Sequence, residues 1–212
     1  MTVIRSVIVV DDFLKDPNIL RNAALAQNYP KLDTPQVYPG RDSEFRQVIN
    51  GFDQKICELI GEPVVPVMTS SHQRFRLALE GEKGTDSVHI DNVHWTVILY
   101  LTLPEHCQGG THLYHHIETG TDRAPYNSHE LAELGFQSQE EFLDGVINAN
   151  TNDSSKWEEI MTIPMRFNRL LIIKPQQYHD AGISFGDTPE NGRLVYVSAY
   201  NYPNAPRMAN PS

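Results

Sequence analysis

Residues 88–92 read Val-His-Ile-Asp-Asn, and the apolar run Trp95, Thr96, Val97, Ile98, Leu99, Tyr100, Leu101, Thr102, Leu103 follows almost directly. In an extended chain side chains alternate between faces, so His89 and Asp91 point the same way. An imidazole nitrogen and a carboxylate oxygen on one face supply two thirds of a facial metal triad. The third ligand has to come from far along the chain. His179, in the stretch Gln177, Tyr178, His179, Asp180, Ala181, Gly182, is the best candidate.

Two imidazoles and one carboxylate with positions left open are the ligand set of non-haem Fe(II) oxygenases. Beyond His179 comes Arg193, at the head of the apolar run Leu194, Val195, Tyr196, Val197. Between Asp91 and His179 stand a Gly109-Gly110 turn and the segment Asn168, Arg169, Leu170, Leu171, Ile172, Ile173, which precedes the distal histidine. In this order the elements resemble the Fe(II)- and 2-oxoglutarate-dependent oxygenases, in particular the prolyl 4-hydroxylase-like branch, over roughly residues 70–202.

The resemblance implies a mainly β chain with supporting α-helices, folded as a double-stranded β-helix (jelly roll). It implies His89, Asp91 and His179 as metal ligands and catalytic centre, with Fe(II) as the metal and 2-oxoglutarate and O2 as cosubstrates. Neutral imidazoles and one carboxylate leave such a complex at a charge of about +1, which attracts a dianionic cosubstrate. Arg193 becomes the clamp for the distal carboxylate of 2-oxoglutarate, since a guanidinium offers two parallel donors. Many family members carry a hydroxyl residue two places after this arginine, where this chain has Val195. The second carboxylate partner is therefore open, and Tyr100 is the nominee beside its plainer reading as a core residue. Members that transfer halide replace the metal carboxylate with a small residue, so Asp91 argues for hydroxylation or another oxidation.

Each residue also has a blander reading. An isolated His89 would be a hydrogen-bonded strand histidine, and an isolated Arg193 a surface ion pair worth little on an acidic protein. The order His89, Asp91, His179, Arg193 favours the site. Asn92, His94 and Trp95 follow the first ligands and are candidates for the mouth of the pocket, with a satisfied polar contact the simpler role for His94. His112, His115 and His116 raise a second metal, but on a strand neither His112 and His115 nor His115 and His116 share a face. Cys107 has no basic neighbour except His106 and reads as inert, and Lys174 reads as solvent-facing. Two rivals to the oxygenase stand: a jelly-roll protein that binds metal without turnover, and a zinc hydrolase built on the same ligands, for which Asp180 is the nearest general base.

The chain of 212 residues is most simply one domain with a core of its own. Its 17 basic and 27 acidic residues give a net charge of -10, which opposes phosphate backbones and makes nucleic acid an unexpected partner. The expected substrate is a small molecule or a peptide. The 2 cysteines cannot make a disulfide framework and fit a reducing compartment. The opening apolar run, Val7, Ile8, Val9, Val10, is too short for a signal peptide or a membrane span. A soluble cytoplasmic protein is the expectation.

In chain order, 6–10 predicts a strand, and Asp16-Pro17 starts a helix whose inward stripe is Ile19, Leu20, Ala23, Ala24 and Ala26. Residues 30–42 read as loop. A second helix is predicted from Ser43 as cap to Ile60, with Phe45, Val48, Ile49, Phe52, Ile56 and Ile60 inward. Residues 1–63 thus form a helical support for a core over 64–202. Strands are expected over 74–79, 88–92, 95–103, 111–116, 166–174 and 193–201. Residues 117–160 interrupt the core with helical pieces at 128–134 and 138–147, a lid, an oligomer contact or plain decoration. The tail 202–212 should be extended.

Overall fold

The computed structural model describes residues 5–31, 33–34, 36–68 and 71–203. The predicted tail lies outside them from residue 204 onward. The described strands form two antiparallel sheets. The larger runs in the order β1 (Val7–Val10), β8 (Leu170–Ile173), β5 (Trp95–Tyr100), β10 (Arg193–Asn201), β4 (Arg74–Ala78), β2 (Arg41–Asp42), with β3 (Val65–Pro66) also on β10. The smaller has β6 (Gly110–His116) between β7 (Trp157–Pro164) and β9 (His179–Asp180).

The central strands are buried on both faces, and alternation sorts their side chains into two layers. Leu170 and Ile172, Val97 and Leu99, and Leu194 and Tyr196 pack on helices α1 (Pro17–Leu25) and α2 (Phe52–Ile60), through Leu20, Ala24, Phe52, Ile56 and Ile60. Leu171, Ile173, Tyr100 and Val195 face the opposite way and meet Leu113 and Ile163 of the smaller sheet. Each buried aliphatic side chain of this kind contributes about 1.5–3 kcal/mol. A third cluster ties α3 (Ser128–Glu133), α4 (Gln139–Phe142) and the π-helical turn Leu143–Asn148 to the smaller sheet through Leu131, Phe142, Val146, Trp157 and Tyr178.

Several expectations need correction. The helix predicted from Ser43 begins only at Phe52, because residues 43–47 hydrogen-bond along β4 instead. The Ser43 amide donates to the Phe75 carbonyl at 2.8 Å and the Gln47 amide to the Gln73 carbonyl at 2.7 Å, while the Ser43 hydroxyl accepts from the Phe75 amide. Gly51, at φ 77°, then turns the chain into α2. Phe45 and Val48 are accordingly exposed, as is Ile19 on α1. The support region also donates strands β1 and β2 to the large sheet. The insertion ends earlier than residue 160, since β7 pairs with β6 from Trp157. The strand expected over 166–174 is confined to Leu170–Ile173, because Asn168 takes φ 63° and its side chain bonds the backbone of Leu14. The run 95–103 is strand only to Tyr100.

Candidate metal centre

The segment expected as a strand over 88–92 makes a single bridge, and that bridge is to the distal histidine. His89 N–H donates to the His179 carbonyl at 2.9 Å and His179 N–H to the His89 carbonyl at 3.1 Å. Residues exchanging both bonds sit directly opposite and carry their side chains on one face, and the two rings stand with centroids 4.3 Å apart. The Asp91 amide donates to the Pro175 carbonyl, which fixes the register two residues on. Backbone pairing thus brings together two positions far apart in sequence.

The side chains complete the convergence. Nδ1 of His89 faces the Ser87 carbonyl and Nδ1 of His179 the Gln177 carbonyl, each at 2.8 Å. A carbonyl can only accept, so both Nδ1 atoms carry hydrogen and both Nε2 lone pairs are free for an ion. His89 Nε2 lies 3.9 Å from Asp91 Oδ1 and His179 Nε2 3.7 Å from Asp91 Oδ2. The three donor atoms fall within 4.8 Å of one another, the one such group of His, Cys, Asp or Glu among the described residues. An ion with ligand bonds of about 2.1 Å needs octahedral neighbours about 3 Å apart, a closure on the order of 1 Å. The donor set fits a divalent metal.

Electrostatics agree with that fit. Burial, then the neighbouring His179, pushes His89 down to about 4, so its imidazole is neutral at physiological pH. Burial alone would raise the Asp91 carboxyl, but the hydrogen bond and charge of His179, with His89 and Thr96, hold it well below the usual carboxylate range. Burial opposes the proton on His179, yet the hydrogen bond and charge of Asp91 raise its affinity for one. A bound cation would take that proton's place.

The inner face of the large sheet carries the rest. Thr96 and Tyr100 alternate onto the same face of β5, and Val195, which is paired with Tyr100 and with Arg76, shares it with Arg193. Thr96 Oγ1 donates to Asp91 Oδ2 at 2.6 Å. Tyr100 and Thr111 join their hydroxyls at 2.8 Å across the two sheets. Arg193 is 3% exposed, and no hydrogen bond or salt bridge engages its guanidinium among the described residues. Arg76 on the same face is neutralised by Asp42 at 2.7 Å. Burial pushes the Arg193 guanidinium below the ordinary arginine value, with Tyr100 and Asp180 the groups that most oppose the shift. A buried cation without a counter-charge costs several kcal/mol unless an anion arrives.

One participant has no signal in the sequence. Tyr38, from the stretch read as loop, donates its phenol to Asp91 Oδ1 at 2.8 Å and lays its ring on His89 with centroids 4.6 Å apart. Beside it a cleft of about 470 Å³, walled by Pro39, Gly84, Asp86, Asp180 and Ser184, has His89 in its lining. Asp180 is held by the Tyr114 phenol and the Gly182 amide, each at 2.7 Å.

Other candidates lie elsewhere. Trp95 belongs to the core beneath the helices rather than to a pocket mouth, and the Lys174 ammonium sits 5.3 Å from its ring centre. His94 bonds Asn201 at 2.9 Å. His112 faces Glu159, His115 faces Asp122, and His116 is buried against Trp157, so the three do not share an ion. Cys107 donates to the Thr102 carbonyl, and burial raises its thiol pKa, which leaves it inert. Among the described residues no helix is long and apolar enough to cross a membrane.

The model of a family of unknown function, DUF6445, matches residues 3–199. The chain belongs to that family. No curated protein matches this DUF6445 member. Among solved structures it is similar to HygX from Streptomyces hygroscopicus with nickel and 2-oxoglutarate bound, at a TM-score of 0.47 and 11% identity, covering 96% of this chain and 85% of HygX. HygX with nickel, 2-oxoglutarate and hygromycin B bound gives a TM-score of 0.47 at 10% identity, covering 96% and 86%. The non-heme iron oxygenase OrfP in complex with Fe and alpha-ketoglutaric acid gives 0.38 at 14% identity, covering 87% and 79%. Likenesses of this degree leave the chemistry of the DUF6445 member to its own residues.

Proposed function

We propose that this protein is an Fe(II)- and 2-oxoglutarate-dependent dioxygenase that hydroxylates a C–H bond of a small polar molecule. The observation that carries the reading is a pairing. A His, Asp, His cluster is tied through Asp91 to Thr96 on the inner face of the large sheet, and the same face carries the buried Arg193, whose guanidinium has no salt bridge among the described residues. A metal site alone suits many chemistries, but a metal site backed by a buried cation suits a chelating dianion. Two antiparallel sheets enclosing such a site are what a double-stranded β-helix presents, and we take 1–212 as one such domain, working in a reducing cytoplasm.

In this reading His89, Asp91 and His179 hold the metal and Arg193 receives the distal carboxylate of 2-oxoglutarate. The Tyr100–Thr111 hydroxyl pair stands as the second partner that Val195 cannot be. A charge-assisted bond from Arg193 contributes about 1.5–3 kcal/mol. Bound iron would supply the redox chemistry, in which 2-oxoglutarate, O2 and R–H become succinate, CO2 and R–OH. The protein orients the reactants and shields them from water between its sheets. The cleft beside His89, whose lining includes Glu82, Lys83, Asp86 and Asp180, is the entry this reading gives the prime substrate.

The test is direct. Pure protein given Fe(II), 2-oxoglutarate and O2, with a panel of polar amino acids, sugars and short peptides, should release succinate above background. Metal bound without succinate release across the panel would instead mark a silent metal-binding protein. Activity with Zn(II) in the absence of O2 would mark a hydrolase.

A further inference from the structure

We propose that Tyr38 is a positioning residue for the metal carboxylate, and that the missing side chain of Gly84 is what holds it there. The inference rests on the metal site of the previous section and adds a residue from outside its strands.

Asp91 has two oxygens, and each receives one hydroxyl hydrogen bond: Oδ1 from the Tyr38 phenol at 2.8 Å and Oδ2 from Thr96 at 2.6 Å. A carboxylate held at both oxygens cannot rotate about its Cβ–Cγ bond without breaking one of them. The plane of the carboxylate, and so the lone pair offered to an ion, is fixed before the ion arrives. Thr96 does this from a core strand, which is rigid. Tyr38 does it from a loop, and a loop residue needs its own support.

That support comes from several neighbours of the ring. One side lies against His89, so the phenol ring braces a second ligand as well as bonding the first. The Arg76 guanidinium stands 5.2 Å from the ring centre and is itself tied to Asp42. Behind the backbone, the Thr85 amide donates to the Gln36 carbonyl at 2.8 Å and the Asp86 amide to the Val37 carbonyl at 3.2 Å. These bonds bring residues 84–86 so close that a Cβ built on Gly84 would lie 2.8 Å from the Tyr38 carbonyl carbon and collide with the Val37 carbonyl oxygen. Only glycine permits that approach. The same two segments wall the cleft through Pro39, Gly84 and Asp86, so whatever moves the cleft wall also moves the phenol on the metal carboxylate.

The experiment is calorimetric titration of Co(II) into the metal-free full chain, with the visible absorption of the Co(II) complex and the melting temperature of the metal-free protein recorded alongside. Tyr38→Phe keeps the ring on His89 and deletes only the hydroxyl. It should weaken Co(II) binding by about 10–100-fold, the usual effect of removing a partner of a ligand, alter the Co(II) absorption, and leave the metal-free melting temperature near wild type. Gly84→Ala leaves the phenol chemically intact but displaces it, and should weaken Co(II) in the same direction. Equal Co(II) affinity in wild type and Tyr38→Phe overturns the proposal while leaving the metal site standing. A lowered melting temperature with unchanged affinity of the folded protein marks a purely structural tyrosine and overturns it too. Should Tyr38→Phe fail to fold, an unchanged affinity in Gly84→Ala overturns it. A wild-type chain that binds no Co(II) overturns the metal site itself, and the proposal with it.

Discussion

Two regions of this protein gather histidines, and only one of them makes a metal site. His89 and His179 meet because their backbones exchange hydrogen bonds, and each ring has Nδ1 spent on a carbonyl of its own segment. Their remaining nitrogens share one carboxylate. His112, His115 and His116 are closer in sequence, yet each finds a separate partner: Glu159, Asp122 and Thr119. Proximity along a strand disperses side chains to alternate faces, whereas pairing across a bridge brings them onto one. The number of histidines decides little. What decides is whether the backbone sets the rings on one face with their uncommitted nitrogens toward one carboxylate, as it does for His89 and His179.

That contrast can be broken most severely at the ligands. His179→Ala should abolish stoichiometric metal binding, a loss well beyond the roughly 10–100-fold expected for any residue that only touches a ligand, as read by metal analysis after anaerobic loading. Next comes Arg193→Ala, which should weaken 2-oxoglutarate by roughly 10–100-fold, the equivalent of one charge-assisted bond. Metal affinity should stay within a few-fold of wild type; calorimetry of 2-oxoglutarate on Mn(II)-loaded protein separates the two. Thr96→Val keeps the shape and removes one donor to Asp91, so metal affinity should fall by about tenfold. Smallest of all, His112→Ala with His115→Ala should leave metal stoichiometry at one ion per chain. A drop there would show that the second histidine group does bind an ion.

The site was legible in the sequence to the extent that it follows from periodicity. A two-residue spacing gave His89 and Asp91 a common face, whereas Arg193 is named through the resemblance, and the strand pairing then shows it on one face with Val195. Tyr38 was illegible for the opposite reason. Its segment has no period, and its bond to Asp91 spans 53 positions, a contact that exists only because two loops lie against each other at Gly84. In the fold, the spacing of Phe45, Val48, Ile49 and Phe52 imitates a helix face, but the edge of β4 claims the backbone of 43–47 first. Strand β7 went unread because most of its residues are exposed and its register slips opposite Leu113 and Tyr114, so alternation never shows.

The central claim is that three ligands and one buried guanidinium receive a metal and a dianion together. The most direct measurement is anaerobic calorimetry of 2-oxoglutarate into the wild-type chain with and without Mn(II). The account predicts one 2-oxoglutarate bound per chain with Mn(II) present, and binding at least tenfold weaker without it. No binding with Mn(II), or binding of equal strength in its absence, would contradict it.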